Sequence, residues 1–227
     1  MSNGFHRRER TSSSMERKHP SHSPRELTLI VCSEESKDYF LDLVDHLELS
    51  SQVIVEATSS NNPVRQVEEA LKISHQTKPH RRLFLLLDKI NPAVRNLDET
   101  DQIRQAQNMA RHNNLPNNRI FRLILTTPGF PLWLLLHFNK VDFSAIPEEE
   151  WLQQVQKNLE EFIPNHHLPE TRKDFFNKSH KQIKAAIEQC QKLILIRSIK
   201  LSPSSEIHEL IGYLFKLQDH YTRSFKL

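Results

Sequence analysis

Apolar residues along this chain come in two patterns. Short continuous runs, "LTLIVC" (Leu27–Cys32), "QVIVEA" (centred on Val53 to Glu56), "RLFLLLD" (Arg82–Asp88) and "RIFRLILTT" (Arg119–Thr127), read as strands. Between them, apolar residues recur every three or four positions and read as helices. In "SEESKDYFLDLVDHLEL", Ser33 caps, Glu34 and Glu35 occupy the first turn, and Tyr39, Phe40, Leu43, Val44 and Leu47 form one stripe. In "NPVRQVEEALKIS", Asn62 caps, Pro63 takes the first helical position, and Val64, Val67, Ala70 and Leu71 face inward. A third helix is expected over Asp98 to His112, after a loop containing Asn91 and Pro92.

The order is β-α-β-α-β-α-β. It predicts an α/β fold with a parallel sheet wrapped by helices. The run before Asp88 lacks polar alternation, as expected of a strand covered on both faces. Ligands of such sheets gather at the carboxyl ends of the strands. Here those ends are Ser33–Glu35, the residues after Glu56, Asp88–Lys89 and Thr126–Phe130. The second half is helical. "IPEEEWLQQVQKNLEEFI" carries the stripe Trp151, Leu152, Val155, Leu159 and Phe162. "KQIKAAIEQCQKLILI" carries Ile183, Ala186, Ile187, Cys190 and Ile194. "SPSSEIHELIGYLFKL" has Ser202 as cap, Pro203 next, then Ile207, Leu210, Ile211, Leu214 and Leu217. The expected organisation is an arm over 1–25, an α/β domain over 26–140, and a helical part over 141–227 packed on it.

Charge alters this picture at one end only. Residues 1–25 carry Arg7, Arg8, Arg10, Arg17, Lys18 and Arg25 against Glu9 and Glu16, a net of +4, while the whole chain is +3. The remaining body is therefore close to neutral, at −1. A basic, Ser- and His-rich arm cannot bury apolar area and is expected to be disordered alone. Arg7, Arg8, Arg10, Arg17 and Lys18 are its candidate contacts to nucleic-acid phosphates. The arm has no apolar core of a secretory signal, and no run approaches the length of a membrane span. Two distant cysteines, Cys32 and Cys190, make neither a disulfide framework nor a zinc motif. A cytoplasmic protein without membrane contact is expected. The chain has three glycines, Gly4, Gly129 and Gly212, which excludes Gly-rich phosphate loops.

Several other residues could carry chemistry. His137 closes an apolar run and reads as a satisfied core or rim side chain. His166 and His167 are adjacent, so they point apart and lack a third ligand partner. Ser33 lacks the G-x-S-x-G elbow of a hydrolase nucleophile. Lys78, His80, Arg81 and Arg82 cluster at the amino end of a strand and read as a solvated turn rather than a nucleic-acid groove. Trp133 and Trp151 sit at helical spacing among apolar residues and read as core rather than base-stacking platforms.

"TTPGFPLWLLLHF" (Thr126–Phe138) remains, with two prolines and a glycine at a strand end. Together with "LIVCSEESKDYF", "LLLDKI", "KAAIEQCQKL" and "SPSSEIHELIGYL", in that order, it resembles the RloB family, Toprim-related proteins of bacterial anti-phage and abortive-infection loci. The likeness covers nearly the whole chain from Leu27 onward, and the Pro-Gly corner looks like that family's "NPcFE" turn. It implies a Toprim-like sheet whose acids hold one or two Mg²⁺ ions for phosphodiester cleavage. It also implies a DNA or RNA substrate and an ATPase partner encoded beside it.

The acids carry over poorly. Ser33 stands where the family has its first glutamate, Lys37 where it has the next, Ile90 at the second aspartate of Asp-x-Asp, and Pro131 at the glutamate of "FElW". Asp88 keeps the first aspartate, with Lys89 beside it. Glu34 and Glu35 adjoin Ser33, but one residue along a helix turns a side chain by about 100°. The expectation is a defence-associated protein with a silent nuclease centre, acting as a binding or regulatory subunit. The alternatives are an active Mg²⁺- or Mn²⁺-dependent DNA or RNA endonuclease using Asp88 with Glu34 or Glu35, and a protein adaptor without nucleic-acid affinity. Acids supplied by a neighbouring chain would restore the enzyme reading.

Overall fold

The computed structural model describes residues 27–87, 97–112, 120–138, 147, 150–162, 164, 180–197 and 204–224. The chain is α/β, as the alternation predicts. Strands β1 (Leu27–Ser33), β2 (Val53–Thr58), β3 (His80–Leu87), β4 (Ile120–Thr127) and β5 (Ser204–Ser205) form one sheet in the order β2-β1-β3-β4-β5. β1 pairs parallel with β2 and β3, and β3 with β4, while β5 joins β4 antiparallel. The helices among the described residues are α1 (Glu34–His46), α2 (Pro63–Gln76), α3 (Leu97–His112), α4 (Phe130–Leu135), α5 (Trp151–Phe162), α6 (His180–Arg197) and α7 (Ile207–Ser224).

The two faces of the sheet bury separate cores. Leu29, Val31, Leu83, Leu85 and Leu87 meet Val67 and Ala70 of α2 and Ala106 of α3. Ile30, Cys32, Phe84, Leu86 and Ile124 meet α1, α4, α5, α6 and α7. Successive side chains of a strand point to opposite faces, so a strand sandwiched this way is apolar at every position. That is the cause of the unbroken runs in β1 and β3.

Local chemistry sets the helix starts. Asn62 Oδ1 accepts from the N–H groups of Val64 (3.0 Å) and Arg65 (3.1 Å), and Pro63 follows it. Ser33 Oγ caps α1 by accepting from Ser36 N–H at 3.3 Å. All five expected stripe residues of α1 are buried.

Other expectations need correction. Val64 is only half-buried, because α2 turns Gln66, Val67, Ala70 and Ser74 inward, while Leu71, also half-buried, packs against the core as expected. Phe162 ends α5 and is 45% exposed, whereas Trp151, Val155 and Leu159 are buried. The C-terminal helix begins at Ile207 rather than after Ser202, because Ser204 and Ser205 are drawn into β5 opposite Thr127 and Thr126. Ser205 Oγ lies 3.3 Å from the Ile207 N–H and serves that helix start. The basic cluster is a solvated turn only in part: Lys78 and Arg81 are exposed, whereas His80 is not. His80 begins β3 and is buried: Nδ1 donates to the Lys78 carbonyl (3.1 Å), and Nε2 lies 3.0 Å from Ser74 Oγ. The Arg82 guanidinium sits over the Tyr213 ring at 4.9 Å. Asp88 to Pro92, Arg119, His166, His167, Ser202, Pro203 and the arm with Arg7, Arg8, Arg10, Arg17 and Lys18 lie outside the described residues.

Candidate functional site

The chain leaves β1 for β2 on one side and returns to β3 on the other. This reversal of strand order makes the carboxyl ends of β1 and β3 the natural ligand crevice of the sheet. On the β1 side stands Ser33, buried and engaged with Ser36. Ser36 Oγ donates to the Ser33 carbonyl at 3.3 Å, and the two hydroxyls lie 3.0 Å apart. Next to them Thr58, ending β2, donates to the Cys32 carbonyl at 3.4 Å. Glu34 and Glu35 are both exposed in the first turn of α1, where a negative charge complements the helix dipole. β3 is described up to Leu87, so the structure brings Glu34 and Glu35 beside Ser33 but does not describe Asp88.

On the far side of the rim, β4 ends in a plugged corner. The Thr127–Pro128 peptide is cis, and Gly129 adopts φ 154°, a conformation that side chains with a Cβ rarely take. α4 follows. Pro131 lies buried in its first turn, where a missing N–H costs little. Trp133 is fully buried and its Nε1–H donates to Tyr39 Oη at 2.8 Å. The Tyr39 ring meets Phe130 and Phe40 edge-on, each with centroids 5.3 Å away. His137 packs edge-on against Trp133 at 4.8 Å and donates from Nδ1 to the Trp133 carbonyl at 2.8 Å. Burial pushes the His137 imidazole down to about 4 and the Tyr39 phenol above its usual range. His137, Trp133 and Trp151 are thus core side chains, as their spacing suggests.

A polar seam joins this corner to the C-terminal helices. Thr126 Oγ1 lies 3.1 Å from Ser205 Oγ, and His208 Nδ1 donates to the Ser205 carbonyl at 3.0 Å. Cys190 is buried and free, and burial pushes its thiol up to about 12 against a hydrogen bond with Ser205. Sequence reasoning placed Thr126 at a strand end but missed its partner Ser205, and missed Ser36 and His208. Ser36 had a local signal, three residues after the cap. Thr126 and Ser205 are 79 positions apart and had none.

Mg²⁺ takes hard oxygen ligands and favours carboxylates in a near-octahedral array. The described end of β1 offers instead a serine hydroxyl committed to its own helix cap, and two glutamates on a diverging helical turn. These residues do not fit the ion. Among the described residues no three His, Cys, Asp or Glu side chains gather as metal ligands. Among them, too, no helix is long and apolar enough to cross a membrane.

The fold and rim define a class: an α/β protein with a mostly parallel sheet and buried hydroxyl side chains at the carboxyl ends of β1 and β2. A family model described as RloB-like protein matches residues 28–214, and the chain belongs to that family. Neither a curated protein nor a solved structure matches it.

Proposed function

We propose that this protein is a defence-associated member of its family whose Toprim-type nuclease centre is silent, and that it works as a binding or regulatory subunit. The observation that carries this reading is Ser33. It stands at the carboxyl end of a central strand, where the Toprim plan needs a glutamate, and its side chain is buried in the Ser33–Ser36 cap. A hydroxyl held this way neither moves a proton at neutral pH nor neutralises a cation. Pro131 removes a second acid and builds a buried helix turn instead. The basic arm then supplies affinity for DNA or RNA through Arg7, Arg8, Arg10, Arg17 and Lys18, and an ATPase is the partner class that the family implies.

Fluorescence anisotropy of labelled DNA and RNA tests this. Binding should not require Mg²⁺ and should persist in EDTA. It should weaken steeply with salt, because each neutralised phosphate releases counterions. It should disappear when the five arm cations are changed to alanine. Binding that needs Mg²⁺, or no binding at low salt, overturns the reading.

A further inference from the structure

The geometry points to the outer edge of β4 as a docking surface for a second copy of this chain, joining two sheets across a two-fold axis. β5 covers that edge only opposite Thr126 and Thr127, and among the described residues no further strand pairs with it. Leu125 shows which backbone groups face outward. Its N–H donates to Glu206 Oε2 (3.0 Å), and its carbonyl accepts from Glu206 N–H (2.9 Å). In a parallel pair the N–H and C=O of one residue face the same side, and this alternates along the strand. The outward groups are therefore also those of Phe121 and Leu123. Beside them lies a groove of about 340 Å³, lined by Phe121, Leu123, Ala110, Arg111, Glu206 and Glu209, among others. Ile120 at its start is 42% exposed. A strand edge that carries Phe121 and Leu123 and is left unpaired among the described residues is a template for another strand.

A second copy fits because the edge complements itself. An antiparallel pairing centred on Arg122 sets Phe121 opposite the partner's Leu123 and Leu123 opposite the partner's Phe121. Each pair exchanges both its N–H···O bonds. The axis is perpendicular to the sheet, so each side chain stays on its own face, and the partner's apolar pair fills the groove. The two Arg122 side chains then meet across the axis, which alone would be repulsive. Each already forms an ion pair with its own Glu209, so the centre becomes a neutral ring of alternating charge. The near-neutral body, −1 outside the arm, does not oppose association.

Sedimentation equilibrium of the full chain over a wide concentration range tests the proposal. The wild type should dimerise. Arg122→Glu places four acids at the axis and should weaken the dimer roughly tenfold or more, a tenfold change being about 1.4 kcal/mol. The double variant Arg122→Glu with Glu209→Arg restores the alternation and should restore the dimer. Leu123→Pro deletes an outward N–H without touching the bonds to β3 and should leave a folded monomer, with folding checked by circular dichroism. A wild type that stays monomeric throughout, or a dimer insensitive to the charge reversal, overturns the proposal. So does a charge swap that fails to rescue while the protein remains folded.

Discussion

The ends of β1 and β4 lie on the same rim of one sheet, yet they are built in opposite ways. β1 ends in small hydroxyls and an exposed acidic helix turn, with Ser33 and Ser36 bonded to each other and Thr58 to the Cys32 carbonyl. β4 ends in a proline-glycine corner that drives Trp133 and His137 into the core. The difference separates what packing fixes from what solvent leaves free. The β4 corner is kept by packing, since its aromatic cluster ties α1 to α4. The β1 end also buries Ser33, Ser36 and Thr58 but turns Glu34 and Glu35 to solvent, where a change of charge should leave the sheet folded.

The largest effect should come from Trp133→Ala. It removes a fully buried ring and leaves Tyr39 Oη without its indole donor. The expected loss is about 3–5 kcal/mol in chemical denaturation. A loss under about 1 kcal/mol would mean that the corner is not a keystone.

Next is pH. The folded His137 imidazole titrates near 4 instead of its ordinary 6.5, because burial disfavours its charged form. Between those values the unfolded chain binds a proton that the folded chain refuses. Stability is therefore full above about pH 6.5 and falls as pH drops towards 4. At 1.36 kcal/mol per unit, this one residue contributes on the order of 3 kcal/mol at most. Denaturation midpoints across that window should slope less in His137→Gln than in wild type. Equal slopes would remove His137 from the account.

At the β1 end the effects should be smaller. Ser33→Ala deletes the cap of α1 and should cost about 1 kcal/mol. Glu34→Gln should cost under about 1 kcal/mol, through the helix dipole alone. If either change costs more than Trp133→Ala, the contrast between the two ends is reversed.

Much of this fold was legible because local and global signals agree. Asn62-Pro63 announces α2, the Ser33 cap announces α1, and the unbroken apolar run of β3 announces a strand covered on both faces. Three features were not legible, each for a physical reason. Ser204 and Ser205 have no strand pattern of their own and become β5 only by pairing with distant Thr126 and Thr127. His80 looks like part of a basic turn until Ser74 and the Lys78 carbonyl enclose its ring. Phe162 has the right spacing for the α5 stripe but sits at its end, where the spacing no longer decides burial. At the site, the Ser33 end could be read because cap and strand end coincide there. The polar seam from Thr126 to His208 could not, because it forms only between distant segments.

The central proposal is that the rim does not support metal-dependent cleavage. The most direct measurement is Mg²⁺- and Mn²⁺-dependent nuclease activity on labelled DNA and RNA, with wild type beside Asp88→Ala. The account predicts no metal-dependent cleavage by either protein. Cleavage by the wild type that Asp88→Ala abolishes would contradict it, and would mean that Glu34, Glu35 or a neighbouring chain's acids replace the glutamate missing at Ser33.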